Sequence, residues 1–189
     1  MRKIKRTELG LKETDIALIS AGELNENKNN KIIIQALSKL KNNNIHYIIC
    51  GVGPKYSELK KIVSDSNLDD FVHFLGYRND IKELYKACDI FVMPSFREGL
   101  SRSMMEAMAC GLPCIASKIR GNVDLIKKGK GGYLLSPEDV NDFAQSMMAL
   151  SNNELLRKQM GGYNLDVIKK YDIEVVKKEI EEIYREALN

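Results

Sequence analysis

The chain has 189 residues with a formal net charge of +3, and 44% of its residues are hydrophobic. That length and apolar content suffice for one domain with a full core, and the modest charge argues against a dedicated nucleic-acid binder, which clusters Lys and Arg on one face. The basic residues 1–6 have no apolar run behind them, which argues against a secretory signal, and no apolar stretch reaches transmembrane length.

The cysteines and histidines indicate structural residues rather than a metal site. The four cysteines, which form no C-x-x-C pair, are Cys50, Cys88, Cys110 and Cys114. Their apolar surroundings favour buried, reduced thiols. His46 and His73 lie before or within strand patterns and have no sequence neighbour typical of a catalytic pair. We therefore expect a reduced, cytoplasmic setting and no bound metal.

Strand-like and helix-like apolar patterns alternate along the first 150 residues. Strands are predicted at 15–21, 45–50, 72–75, 90–93, 113–116 and 133–135. Helices are predicted at 30–40, 56–66, 81–88, 101–110 and 140–150, and the rest is helical, with a final apolar stripe at Ile173, Val176, Ile180, Ile183 and Ala187. This alternation predicts an α/β fold, a Rossmann-like parallel sheet with helices on both faces. Such sheets bind ligands at the carboxyl ends of their strands.

The most informative segment follows the predicted strand at 90–93. Glu98 stands next to a glycine, and Glu106 follows it eight residues later. Between them Ser101 is a predicted helix N-cap, and Gly111 predicts the helix end. A helix N-terminus behind a glycine-containing loop attracts phosphates. A carboxylate beside it would repel them unless it accepts hydrogen bonds from hydroxyls, so the segment indicates a sugar nucleotide.

This segment resembles the E-x7-E signature of retaining glycosyltransferases with the GT-B fold, the glycosyl transferases group 1, of capsule and exopolysaccharide type. Further segments similar to the family follow in its order at 21–29, 48–54, 72–81, 121–122 and 131–134. The resemblance implies the C-terminal, donor-binding half of a GT-B fold. Residues 1–14 would be the remnant of an inter-domain linker, 15–150 the nucleotide-sugar-binding domain, and 151–189 helices that pack on it or cross back from it.

The resemblance also implies roles for individual residues. Glu98 and Lys28 would be catalytic: Glu98 accepts hydrogen bonds from hydroxyls of the transferred sugar, and Lys28 neutralises the diphosphate. Glu106 would accept hydrogen bonds from the ribose. The remaining implied donor-binding residues are Gly22, Gly51, Gly53, Tyr77, Arg78, Gly99, Leu100, Ser101 and Arg102. Of these, Tyr77 and Arg78 are expected to lie beside the base, and the N–H groups of residues 99–101 are expected to bind the phosphates. Gly51 and Gly53 are either turn glycines or points where the backbone closely approaches the nucleotide.

One position departs from the family pattern. The family has an Arg five residues before Lys28, where this chain has Glu23. A carboxylate cannot donate to a phosphate, so Arg102 at the helix start is the candidate for the second cationic contact. Glu23 is then either an ordinary loop residue or a partner that helps to hold Lys28.

The resemblance implies transfer of a sugar from a nucleoside diphosphate with retained anomeric configuration. UDP is the expected nucleotide, because it is the usual one in the family. No metal cofactor is implied, because Lys28 and the helix N-terminus supply positive charge, and the chain has no Asp-x-Asp. The implied partners are the nucleotide sugar, an N-terminal acceptor-binding domain and a lipid-linked or saccharide acceptor, in bacterial surface polysaccharide or glycolipid synthesis. We expect a cytoplasmic protein, peripheral on the inner membrane face where it acts on lipid, and inactivity of this chain alone.

Two other functions compete with this interpretation. One is a non-catalytic nucleotide-sugar-binding module that regulates a partner enzyme, and the intact Lys28, Glu98 and Glu106 argue against it. The other is a different GT-B-like enzyme, such as a sugar-nucleotide epimerase, whose signature the sequence does not contain.

Overall fold

A computed structural model describes residues 1–42 and 44–188, except for the side chain of Ala187. The strands in that part are β1 (Ile16–Ala21), β2 (Ile45–Cys50), β3 (Val72–Gly76), β4 (Ile90–Met93), β5 (Cys114–Ser117) and β6 (Gly132–Leu135). They form one sheet in the order β3-β2-β1-β4-β5-β6, and every neighbouring pair is parallel. The predicted Rossmann-like α/β fold is confirmed.

Nine α-helices lie in the described residues. They are α1 (Arg2–Glu8), α2 (Asn30–Leu40), α3 (Tyr56–Asp65), α4 (Ile81–Ala87), α5 (Arg102–Ala109), α6 (Arg120–Leu125), α7 (Val140–Ser151), α8 (Glu154–Ile168) and α9 (Ile173–Ala187), with 3-10 turns at Glu26–Lys28 and Lys169–Tyr171. The predicted elements agree with the observed bounds to within one residue. Two short helices, α1 and α6, were not predicted because neither has a run of apolar residues at helical spacing.

The sheet is covered on both faces, as its continuous apolar strands predict. On β1, Leu18 faces one core cluster, whereas Ala17 and Ile19 face the other, because successive strand residues point to opposite faces. One cluster receives α2, α3 and α7 through Leu37, Leu59 and Met147, and the other receives α4 and α5 through Leu84, Met104 and Met108. Each of these buried side chains stabilises the fold by about 1.5–3 kcal/mol. Ligands therefore reach the sheet only at its strand ends.

The helices after residue 150 differ in how they pack. The buried amide of Asn164 on α8 donates to the carbonyls of Leu112 and Gly131, each at 2.8 Å, which fixes α8 to this domain. On α9, by contrast, Ile173, Ile180 and other members of the predicted apolar stripe are exposed. The side chain of its last member, at position 187, lies outside the described residues.

Candidate active site

An open cleft of about 700 Å³ lies at the carboxyl ends of β1, β2 and β4, the strand ends at which parallel sheets bind ligands. Ten of the predicted site residues line it together: Gly22, Lys28, Gly51, Tyr77, Arg78, Glu98, Leu100, Ser101, Arg102 and Glu106. The other two, Gly53 and Gly99, are not in its lining but belong to the same loops. A cleft of this volume is large enough for a nucleotide.

Lys28 and Glu98 form an ion pair in this cleft. The Nζ of Lys28 lies 2.7 Å from Oε1 of Glu98, and the two side chains are 23% and 13% exposed. Each charge is thus neutralised by the other while both stay within reach of solvent. In the described residues the Glu23 carboxylate makes no hydrogen bond or ion pair with Lys28 and accepts a hydrogen bond from the Asn25 amide at 2.8 Å, which favours the first of the two alternatives, an ordinary loop residue.

Asparagine amides position Lys28 beside Glu98. The side-chain oxygen of Asn25 accepts a hydrogen bond from the Lys28 N–H at 3.0 Å and caps the 3-10 turn. Asn27 then joins this turn to the loop after β4: its amide donates to the Arg97 carbonyl at 2.9 Å and accepts from the Arg97 N–H at 3.0 Å. Arg97 is the residue next to Glu98, so this pair of bonds fixes the ion pair.

Asn29 makes a second connection between the same loops. Its backbone is left-handed, with φ of 51°, a conformation that Asn tolerates better than most residues. Its amide donates to the carbonyls of Pro94 at 3.1 Å and Pro137 at 2.8 Å. Sequence reasoning did not assign positioning roles to Asn27 and Asn29. The asparagine-rich run at 25–30 was the available signal, because Asn side chains replace backbone partners in turns.

The N-terminus of α5 faces the cleft as predicted. The buried Ser101 hydroxyl accepts a hydrogen bond from the Met104 N–H at 3.4 Å and donates to the sulfur of Met93 at 3.3 Å. In the part of the chain that the structure describes, the N–H groups of Gly99, Leu100 and Ser101 donate to no protein acceptor. Together with the helix dipole, these donors can bind an anion.

Glu106 lies one turn along α5 from Arg102. The Arg102 Nε donates to Oε1 of Glu106 at 2.9 Å, and the Arg102 side chain is 89% exposed. The predicted second cation is therefore a solvent-facing group whose observed partner is Glu106. Both residues are in the cleft wall, so a ligand can compete for either.

The loop between β3 and α4 forms the opposite wall. Tyr77 is 77% exposed there. Arg78 donates to both carboxylate oxygens of Asp80, each at 2.7 Å, and to Glu8 of α1 at 2.8 Å. Arg78 thus lines the cleft, with its charge already paired with two carboxylates.

Close backbone contacts explain three glycines near the cleft. A Cβ on Gly51 would lie 1.8 Å from the Gly22 carbonyl oxygen. A Cβ on Gly53 would lie 2.5 Å from the carbonyl oxygen of Leu24, in the same loop as Gly22. A Cβ on Gly121, at the start of α6, would lie 1.8 Å from the Gly99 carbonyl oxygen. The requirement for glycine at these positions therefore comes from neighbouring loops. The role of Gly121 in supporting the Glu98 loop was not predicted.

Three of the four cysteines, Cys50, Cys88 and Cys114, are buried as expected, as is His46, whereas Cys110 and His73 are half-buried. Burial raises the pKa of the Cys50 thiol to about 12, and burial also raises the pKa of the Cys88 and Cys114 thiols. His46 Nδ1 and His73 Nε2 are 3.0 Å apart, and burial is the main cause that lowers the pKa of both rings. Each histidine is the other's partner, which supports the structural interpretation.

The described residues contain neither a metal-ligand cluster nor a membrane-spanning helix. Residues 1–42 and 44–188 contain no group of three or more His, Cys, Asp or Glu side chains that could hold a metal ion. No helix among them has the length and apolar character needed to cross a membrane.

The fold and the cleft define a Rossmann-like domain of the GT-B class. The chain belongs to the glycosyl transferases group 1 family, whose model matches residues 1–166. This family membership confirms the resemblance based on the E-x7-E segment.

Curated relatives are longer than this chain. It is 32% identical over 182 residues to the UDP-Gal:alpha-D-GlcNAc-diphosphoundecaprenol alpha-1,3-galactosyltransferase of Escherichia coli, a match covering 89% of this chain and 46% of the relative. It is 28% identical over 190 residues to the N-acetyl-alpha-D-glucosaminyl L-malate synthase of Bacillus anthracis, covering 100% of this chain and 50% of the relative. The chain thus spans about half the length of these relatives.

Solved structures share the fold. The Anabaena protein HepE in complex with UDP superimposes with a TM-score of 0.92 at 24% identity, covering 98% of this chain and 52% of that one. The C-terminal domain of the Francisella tularensis glycosyl transferase LpcC matches with a TM-score of 0.81 at 24% identity, covering 92% of this chain and 94% of that one. These likenesses confirm the predicted C-terminal half of a GT-B fold.

Proposed function

We propose that this chain is the donor-binding domain of a retaining glycosyltransferase that uses a nucleoside-diphosphate sugar. The Lys28–Glu98 pair, 2.7 Å apart beside the open N-terminus of α5, carries this proposal. A cation and N–H donors suit a diphosphate, one carboxylate suits the sugar hydroxyls beside it, and Glu106 suits the ribose hydroxyls further along α5. The three groups line one cleft.

The arrangement suits the charges that develop during transfer. As the bond between the anomeric carbon and the diphosphate oxygen breaks, the sugar gains positive charge and the diphosphate gains negative charge. Lys28 and the N–H groups at 99–101 stabilise the leaving diphosphate. Glu98 orients the sugar through its hydroxyls and steadies the positive charge. The acceptor hydroxyl then bonds to the anomeric carbon and gives its proton to the leaving diphosphate oxygen. We propose retention of configuration on the family resemblance.

We propose that donor binding requires no divalent metal. A metal ion serves many nucleotide-sugar enzymes by neutralising the diphosphate. Here a lysine and a helix N-terminus supply positive charge at that position. This proposal depends on those donors, and calorimetry with a chelator tests it.

UDP is the proposed nucleotide, and a lipid-linked or saccharide acceptor is proposed for the whole protein. The Escherichia coli relative is named for UDP-Gal and a diphosphoundecaprenol-linked acceptor, and the HepE structure contains UDP. The chain covers about half of such relatives, so we propose that a second, acceptor-binding domain completes the cleft. Work on a lipid-linked acceptor would place the protein at the inner face of the membrane, in surface polysaccharide or glycolipid synthesis.

Titration calorimetry with UDP and a UDP-sugar tests the assigned roles. UDP should bind equally well with and without chelator. Glu106→Ala should weaken UDP binding by about 1.5–3 kcal/mol, because it removes charged hydrogen bonds to the ribose. Glu98→Ala should leave UDP binding nearly unchanged and abolish the affinity that the sugar adds. The control is Glu13→Ala, which removes an exposed carboxylate before β1. Equal effects of both substitutions on UDP, or a strict magnesium requirement, would contradict the assignment.

A transfer assay tests the need for a second domain. These 189 residues alone should transfer no sugar, because holding the acceptor against the donor supplies roughly 7–11 kcal/mol of the barrier. A protein that adds the acceptor-binding half should transfer sugar from a radiolabelled UDP-sugar. Robust turnover by the short chain would falsify the half-enzyme proposal. Donor binding without transfer by the longer protein would favour the regulatory module instead.

A further inference from the structure

Four charged side chains join α1 to the wall of the cleft. Lys5 and Glu8 come from α1, and Arg78 and Asp80 from the loop between β3 and α4; we call them the four-charge cluster. Lys5 Nζ lies 2.5 Å from Asp80 and 2.7 Å from Glu8. Arg78 Nη2 lies 2.8 Å from Glu8 and 2.7 Å from Asp80. The two positive and two negative charges are therefore neutralised within the cluster.

Two arginines, the buried Arg6 and the exposed Arg2, hold α1 against the end of α4. The Arg6 side chain, 2% exposed, donates to the carbonyls of Ala87 at 3.1 Å and Asp15 at 2.6 Å. Arg2 donates to the Cys88 carbonyl at 3.0 Å. These contacts fix α1 at the carboxyl end of α4, and the four-charge cluster fixes it at the amino end. The arginine contacts thus hold α1 against the end of α4 without involving the charges of Lys5 and Glu8.

The loop that the cluster holds is part of the cleft. Tyr77 and Arg78 line the same cavity as Lys28 and Glu98. Tyr77 is largely exposed, so burial does little to hold the loop there. The orientation of the loop depends instead on Arg78, which Glu8 and Asp80 hold from two sides. Removing the Glu8 charge leaves Arg78 with Asp80, only two residues away, and leaves the Lys5–Asp80 ion pair to join the loop to α1.

We propose that Glu8 and Lys5 are positioning residues for nucleotide selection. By holding Arg78 and Asp80, they fix residues 77–80 as the cleft wall against which the base lies, so α1 sets base discrimination without touching the ligand. This inference rests on the proposed function. A purely structural clamp would instead affect stability and all ligands alike.

Calorimetry with three nucleoside diphosphates, UDP, ADP and GDP, distinguishes these roles. Glu8→Gln should lower the affinity of the diphosphate that the unaltered chain binds most tightly by roughly three- to fivefold, a size typical of part-exposed ion pairs. It should change the other two affinities less than about twofold. The affinity ratio between the preferred diphosphate and the other two should therefore become smaller. Lys5→Gln should act in the same direction. Glu13→Gln, an identical charge change outside the cluster, should change nothing, and thermal melts check that each variant is folded.

The outcomes separate the inference from the proposed function. Equal weakening of all three ligands by Glu8→Gln would make the cluster a structural clamp and overturn the inference. Unchanged discrimination would overturn it as well, while leaving donor binding intact. If the unaltered chain bound none of the three diphosphates, the proposed function would fail, and the inference with it.

Discussion

The two walls of the cleft are held by different forces. The wall proposed to bind the phosphates, here the phosphate side, comprises the Lys28 turn and the Glu98 loop, joined by asparagine amides to main-chain groups. The wall proposed to bind the base, here the base side, comprises residues 77–80, joined to α1 by side chains that are 18–42% exposed. Amide bonds to the backbone are insensitive to salt and pH, whereas part-exposed ion pairs are screened and weak.

Backbone packing strengthens this contrast. On the phosphate side the Gly99 carbonyl touches Gly121 so closely that a side chain at 121 has no room. On the base side a Cβ at Gly76, just before Tyr77, would meet nothing within 4 Å. The groups proposed for chemistry are thus fixed by tight packing. Substitution of surface charges can change the position of the groups proposed for base selection without moving the groups proposed for sugar transfer.

Lys28→Ala should cause the largest effect, in a protein that also carries the acceptor-binding half. Losing one preorganised charge at the leaving diphosphate should lower kcat by about 100- to 1000-fold, as removal of a comparable donor does elsewhere. Steady-state transfer assays measure it. Lys31→Ala, an exposed lysine on α2, should leave kcat unchanged. A kcat within about threefold of the unaltered enzyme would remove Lys28 from the catalytic proposal.

Gly121→Ala should be the next largest, because the added methyl would lie 1.8 Å from the Gly99 carbonyl oxygen. Overpacking of this kind costs about 1–3 kcal/mol, measured as the free energy of unfolding in urea. The control is Gly162→Ala on α8, where an added Cβ meets nothing within 4 Å. That substitution should be neutral or stabilise by up to about 1 kcal/mol. Similar losses at both positions would contradict the proposed loop contact.

Substitutions of Asn29 should separate backbone conformation from hydrogen bonding. Asn29→Gly keeps a residue suited to φ of 51° but loses the amide bonds to Pro94 and Pro137, at a cost of about 1–2 kcal/mol. Asn29→Ala loses the same bonds and adds a left-handed backbone penalty of about 1 kcal/mol. Urea unfolding compares the two. If both variants lost the same stability, the left-handed backbone would make no contribution.

Sequence reasoning located the strands and the residues that line the cleft because both have local signatures. Apolar runs bounded by turns predicted each strand, and Ser101 as N-cap with Gly111 as the end predicted the helix after Glu98. The contacts that hold the cleft have no such signature. Arg78 and Glu8 are 70 positions apart, as are Asn27 and Arg97, and neither a charge nor an amide indicates its distant partner. The His46–His73 pair, 27 positions apart, was missed for the same reason.

Acid and salt should weaken the ion pairs that hold the base side more than the asparagine bonds that hold the phosphate side, which is the smallest and most discriminating prediction. Arg78 and then Lys5 hold the pKa of Asp80 well below its usual value of 3.8, and Lys5 and then Arg78 lower the pKa of Glu8 from 4.5. As pH falls, the unfolded chain takes up protons at these carboxylates before the folded chain does. Their stabilising contribution is therefore fully present above about pH 4.5 and is lost as pH falls through the lowered folded values.

Urea unfolding of the unaltered chain and of Glu8→Gln measures that contribution as a difference between two free energies. The difference should be constant from about pH 5 to 8, shrink below about pH 4, and shrink again when salt rises from about 0.05 to 1 M. The matching difference for Asn29→Gly, on the phosphate side, should stay flat in both series, because its bonds join an amide to carbonyls. Equal responses of the two differences would mean that both walls are held by the same kind of force.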